Sequence, residues 1–158
     1  MTPTPYPPAP TDFLLQQSKL MYDSYQHWTG KALMRSDIPA DVLASALYYA
    51  DFALLAHDTQ TDPIFNYANL AAQQLFKMDW PTMTRLASRH SAEPMQQQDR
   101  AAFLQQVARH GYVDDYAGVR IASNGQRFGI AQATVWNLLD EHGEYRGQAA
   151  IIPCWQWL

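Results

Sequence analysis

Between Gly118 and Trp136 the chain reads GVRIASNGQRFGIAQATVW, two alternating runs joined at Asn124-Gly125. No other stretch limits the fold so narrowly. Asn-Gly between alternating runs is the strongest short-range signal for a β-hairpin, because both residues accept the positive φ that tight hairpin turns need. With Asn124-Gly125 as a two-residue type I′ loop, Ala122 opposes Arg127, Ile121 opposes Phe128 and Val119 opposes Ile130. One face then carries Val119, Ile121, Phe128, Ile130, Gln132, Thr134 and Trp136. The other carries Tyr116, Gly118, Arg120, Arg127, Gly129, Ala131, Ala133 and Val135. A slip of one residue would mix the two sets, so hydrophobic matching supports this register. The first set is expected to face the core. The second is small and flat at Gly118, Gly129, Ala131 and Ala133, and glycine within a strand often marks a close approach of other backbone. A helix, from this chain or from a second copy, is expected across it.

The rest of the chain supplies the partners of that hairpin. A first helix is expected from a Thr11 or Asp12 cap to about Trp28, stopped by Gly30, with Leu14, Met21, Tyr25 and Trp28 near one face. A second begins around Ser36–Pro39 and carries Val42, Leu43, Leu47 and Tyr48. The period then changes: FALLAHD reads as a strand, TQTDP as a turn and IFNY as a second strand. Asn69 is a natural N-cap for LAAQQLFKM, since its amide oxygen accepts a free N–H of the first turn. DWPTMTRL adds one helical turn. SAEP opens a longer helix with Phe103 and Val107 on one face, ended by His110-Gly111. Three strands follow, at about 113–122, 126–138 and, after the turn DEHGEYRG, 148–157. The class is α+β. Residues 1–10 are expected as a disordered Pro-rich arm, 11–38 as an N-terminal helical extension and 39–158 as one compact domain.

Chemistry is sparse. A net charge of −4 provides no basic surface for displacing counterions from nucleic acid. The start MTPTPYPPAP has neither the cationic nor the apolar region of a signal peptide, and no apolar run reaches the ~20 residues of a membrane span. With Cys154 the only cysteine, a cytoplasmic setting is expected, and Cys154 itself reads as a small buried strand residue. None of His27, His57, His90, His110 and His142 pairs with another His or Cys at ligand spacing, so no metal site is expected. His90 and His110 flank the long helix and read as surface or core residues rather than haem ligands. Asp114-Asp115 would point to opposite faces of a regular strand. Arg127, outward by parity, is expected to pair with Glu141 or Glu144. No nucleophile elbow, phosphate-cradling loop or His-Glu-x-x-His is present, so no enzyme is expected.

The element order, with an Asn-x-Ala start to the helix after the second strand, resembles a PAS domain. More narrowly, DPIFNYANLAAQQLF, SRHSAEP, GYVDDYAGVRIASNGQRFGI, VWNLLDEHGEYRGQAA and the closing Trp are similar to the MEKHLA family. That family comprises PAS-like domains, found as small bacterial proteins and at the C-terminus of plant class III homeodomain–leucine-zipper proteins; the chain resembles the stand-alone bacterial type. The resemblance implies a PAS-like five-stranded antiparallel sheet with short helices on one face and the N-terminal helices outside it. It also implies a role in sensing or in regulating association, and supplies no catalytic mechanism. His90 departs from the pattern, standing where an aliphatic residue is expected. Flavin-binding light sensors of the PAS class carry Cys-Arg where this chain has Ser88-Arg89. A serine cannot form the thiol adduct, so no light-adduct flavin is expected. A flavin without an adduct, its phosphate met by Arg89, stays open, as does haem; the cofactor is otherwise unknown.

Two function classes follow. The first is a sensory module that binds a small apolar or aromatic ligand between sheet and short helices. Gln132 and Thr134, interrupting the apolar face, would address the ligand, with Phe76, Phe103, Phe128 and Trp136 as walls and Ser88, Arg89 and His90 nearby. Gln132→Leu should then abolish ligand retention. The second is a ligand-free association module, with Leu14, Met21, Tyr25, Trp28, Gly129 and Ala131 as candidate dimer interface. With no output domain after the last strand, a signal is expected to leave by homodimerisation; neither nucleic acid nor membrane is an expected partner.

Overall fold

A computed structural model describes residues 11–34 and 38–158; the arm at 1–10 and the helix start at Ser36 lie outside these residues. One antiparallel sheet runs in the order β2-β1-β5-β4-β3. Its strands are β1 (Ala53–His57), β2 (Phe65–Ala68), β3 (Tyr112–Ile121), β4 (Arg127–Leu139) and β5 (Tyr145–Ile152). Pro153, with no N–H to give a ladder, interrupts the last run. A further strand β6 (Cys154–Trp157) then pairs with β4 from Phe128 to Ala131. The helices are α1 (Thr11–Thr29), α2 (Ala40–Tyr48), α3 (Leu70–Phe76), α4 (Trp80–Met83) and α5 (Pro94–His110), with a single 3-10 turn at Ser88–Ser91.

Strand alternation gives the sheet two buried faces. Leu54, Ala56, Tyr67, Trp136, Leu138 and Ala149 point to one side, where α1 and α2 add Leu14, Met21, Leu43 and Leu47. Ala53, Leu55, Phe65, Phe128, Ile130, Ala133 and Ile152 point to the other, against Ala72, Leu75, Phe76 and Met83. Helix α1 is thus a cover for its own sheet. Tyr25 meets Trp136 edge-on at 5.0 Å, the Trp28 indole N–H donates to the Asn137 carbonyl at 2.9 Å, and Ser24 Oγ both accepts from and donates to Leu139 backbone. Asn69 caps α3 as expected, accepting from Ala72 N at 3.0 Å. It also accepts from Leu54 N and donates to the carbonyls of Leu47 and Phe52, so one satisfied amide joins α2, β1 and α3.

The hairpin forms with a different loop. Ala122 N–H donates to Gln126 O and Gly125 N–H to Ala122 O, leaving three residues at the tip with Gly125 at φ +86°. This is the three-residue hairpin whose last loop position needs left-handed backbone. Its register pairs Ile121 with Arg127, Arg120 with Phe128 and Gly118 with Ile130. The slip of one residue turns β3 over. Tyr116, Gly118 and Arg120 share the face of Phe128 and Ile130, and Val119 and Ile121 take the opposite one. A second correction follows on β4. Between the pairs Gly118–Ile130 and Tyr116–Ala133 it spends one residue more than β3. Gln132 stands exposed there at φ +57°. Past this bulge Ala133 and Val135 take the side of Phe128, while Trp136 and Leu138 turn toward α1. A bulge in β3 at Asp114-Asp115, with Asp115 at φ +53°, also voids the regular alternation assumed for that pair; both are exposed.

Helix α1 therefore lies over Trp136 and Leu138 rather than over the flat patch, where Ala131 is exposed and Gly129 half-buried. Cys154 is exposed, not buried, because β6 lies beside that uncovered part of β4; its thiol donates to Ala131 O at 3.3 Å. Arg127 is exposed as expected, but its ion pair is with Glu93, at 3.3 Å, since the turn holding Glu141 and Glu144 is at the far end of β4.

Candidate functional site

The site grows from the helical spacing of α5. Arg100, Phe103, Leu104 and Val107 fall on one side of that helix, and the first three close a cavity of about 50 Å³ against the sheet. By the same measure one water takes roughly 10–15 Å³, so the space suits a ligand of a few heavy atoms. Its apolar walls are Leu55, Phe65, Phe76, Ile130, Val135 and Ile152. Its polar lining is His57, Ser91, Arg100, Tyr116, Arg120 and Gln148, with no Asp or Glu.

Arg120 is buried on β3. One guanidinium nitrogen donates to Tyr116 Oη at 3.1 Å and another to Val119 O at 2.7 Å. Phe103 stacks on the Tyr116 ring with centroids 3.9 Å apart. The intervening Gly118 makes room for that pair: a Cβ there would sit 2.8 Å from Tyr116 Oη. Arg100 is only 9% exposed, and the charged group that acts most strongly on it is Arg120, another cation. Among the described residues it makes no ion pair. Burial above all, then Arg120, brings its guanidinium down from its ordinary value to about 10, still protonated at neutral pH.

A chain of amides ties the floor of the cavity to α5. His57 Nε2 lies 3.1 Å from Gln148 Oε1, and Nδ1 lies 2.9 Å from Asp58 O. Gln148 Nε2 donates to Leu104 O and to Asn137 Oδ1, and Asn137 Nδ2 donates to the carbonyls of Val107 and Ala108. Burial, with Arg100 adding to it, lowers the His57 pKa below 6.5, against the pull of both hydrogen bonds. The β5 bulge beside His57 requires glycine: Gly147 has φ +118°, and a Cβ would lie 2.0 Å from His57 O.

The structure brings together only part of the set named from sequence. Phe76 and Phe103 line the cavity. Phe128 is fully buried behind them, edge-on to Phe76 at 5.1 Å. Ser88 is buried beside the cavity-lining Ser91, and its Oγ has no partner among the described residues. Arg89 is exposed and paired with Asp62 at 3.0 Å, and His90 is exposed; neither faces the cavity. Gln132 sits outside on its bulge, and Thr134 and Trp136 fall on the α1 side of that bulge. Leu14 and Met21 are buried within the chain's own core. His57, Arg100, Tyr116, Arg120 and Gln148 were not singled out from sequence. Arg100 had a legible signal, one turn before Phe103 in the α5 stripe; Tyr116 and Arg120 were misplaced by the register.

Among the described residues no helix is long and apolar enough to cross a membrane, and no three His, Cys, Asp or Glu side chains are grouped to hold a metal ion. The light-state dimer of the fungal blue-light photoreceptor Vivid is similar in structure, with TM-score 0.60 and 18% identity over 93% of this chain and 97% of that one. So is a PAS domain from Colwellia psychrerythraea, with TM-score 0.59 and 16% identity over 69% of this chain and 90% of that one. At such identities the likeness shows the fold alone, a PAS-like one. In sequence, the homeobox-leucine zipper protein ATHB-9 of Arabidopsis thaliana is 25% identical over 143 residues, covering 85% of this chain but 17% of that protein. The model of the MEKHLA domain matches residues 15–157. Most of helix α1 falls within that span, and the chain belongs to the MEKHLA domain family.

Proposed function

We propose that this chain is a sensory or regulatory module, of the stand-alone bacterial type, that binds a small molecule between the sheet and α5 and signals by associating with a second copy of itself. It acts in the cytoplasm as a binding protein, not a catalyst. The observation that carries the reading is the cavity, where polar side chains from β1, β3, β5 and α5 converge on apolar walls. A few convergent polar groups in an apolar enclosure are the usual form of a small-molecule site. Ligand entry would act on α5 through Arg100 and Leu104, and on the sheet through the His57–Gln148–Asn137 chain.

Native mass spectrometry of the freshly purified chain, with its absorption spectrum, tests this. A mass above the bare chain, lost on denaturation, supports it. A bare mass together with a melting temperature indifferent to a library of small metabolites overturns it. The ligand-free association module is the second reading, favoured by the exposed strip of Ala131, Cys154 and Leu158 and by the dimeric state of the Vivid structure. In that case the spectrum shows a dimer of bare mass.

A further inference from the structure

The cavity holds two cationic side chains and no anionic one. Arg100 reaches it from α5 and Arg120 from β3, each no more than 9% exposed. Arg120 has the Tyr116 hydroxyl and a backbone carbonyl as acceptors. Arg100 has no hydrogen-bond or ion-pair partner among the described residues, and the described ion pairs of the chain all involve other residues. Arginine is rarely buried without a partner, because its desolvation is then uncompensated. A second guanidinium nearby makes the arrangement worse. An anion between them reverses both effects, since planar guanidinium forks bond carboxylate oxygens with charge-assisted hydrogen bonds.

Resting on the binding reading above, we infer that the ligand is a small carboxylate. Its carboxyl group bonds Arg100 and Arg120 beside the Tyr116 hydroxyl, and its apolar end lies against Leu55, Ile130 and Ile152. The apolar walls favour a carboxylate with a hydrocarbon end over an all-polar anion such as phosphate. The size of the cavity, about 50 Å³, limits that end to a few carbon atoms.

The test uses the full chain and propionate, with propionamide as its neutral counterpart of the same size, inorganic phosphate as an all-polar anion, and sodium chloride at matched ionic strength as the baseline. Binding is read by isothermal titration and by the shift in melting temperature. Propionate is expected to bind and stabilise, with propionamide and phosphate each weaker by about tenfold or more. Arg100→Met is expected to lose propionate binding by a similar factor and Arg100→Lys to keep part of it. Arg100 makes no internal hydrogen bond, so Arg100→Met removes none from the fold; its urea transition confirms folding.

If propionamide binds as tightly as propionate, the carboxylate inference falls while the pocket reading stands. Phosphate binding as tightly as propionate overturns the carboxylate assignment, as does an unchanged affinity in Arg100→Met. If no probe binds and the purified chain has its bare mass, the pocket reading falls as well.

Discussion

At the scale of single residues, Arg100 separates stability from function. Holding its guanidinium at about 10, well below its ordinary value, costs the unliganded fold on the order of 3 kcal/mol. That cost is fully present at neutral pH, below the lowered value, and disappears only as pH rises past it toward the ordinary value of the group. Arg100→Met is therefore expected to raise the unfolding free energy of the ligand-free protein by about 2–3 kcal/mol in urea at pH 7; a loss of stability would contradict this. His57 gives the pH dependence. Its pKa is lowered by burial and by Arg100, so the unfolded chain takes up its proton first as pH falls. Stability is full above 6.5 and declines below it until the folded value is passed. Urea midpoints at pH 7.5, 6.5 and 5.5 should show this decline, and His57→Gln should flatten it. A bound carboxylate opposes the field of Arg100, brings the folded value back toward 6.5 and is expected to make the decline shorter and smaller.

At the scale of elements, helices and strands were legible and their irregularities were not. Asn69 as cap, Gly30 and Gly111 as stops, the short apolar run of β1 and the alternating runs on either side of Asn124-Gly125 follow from local chemistry that the sequence spells out. A bulge has no such spelling. One extra residue at Ala131-Gln132 leaves an acceptable alternation on either side, so the pattern continued as a regular strand puts Thr134 and Trp136 on the wrong face. The same holds for the third loop residue at the hairpin tip, since both loop lengths accept Asn-Gly. These two shifts moved Gln132 out of the site and Arg120 into it. Gln132 occupies left-handed backbone while exposed, a conformation that costs a side-chain-bearing residue about 1 kcal/mol. Gln132→Gly is expected to stabilise the fold by about that amount and to leave ligand binding unchanged. Weaker binding in that variant would return Gln132 to the site.

At the scale of the molecule, α1 is the element whose role depends on everything else. Removing residues 1–30 would uncover Trp136, Leu138 and Tyr67, so truncation tests folding rather than association. The association predicted here is better addressed at the uncovered strip of β4. Light scattering of the full chain is expected to give a dimer, and Ala131→Arg to shift it to monomer without lowering its melting temperature. A dimer indifferent to that change would place the interface elsewhere. By itself the sequence determined most of the elements and their order, because caps, turns and periodicity act over a few neighbouring residues, and its longer motifs carried the resemblance to the family. Only the tertiary structure decided which residues share a cavity. Facing is a parity, and a single bulge reverses it. It also took the folded chain to show that Arg100 and Arg120, twenty residues apart, are buried together with no acid between them.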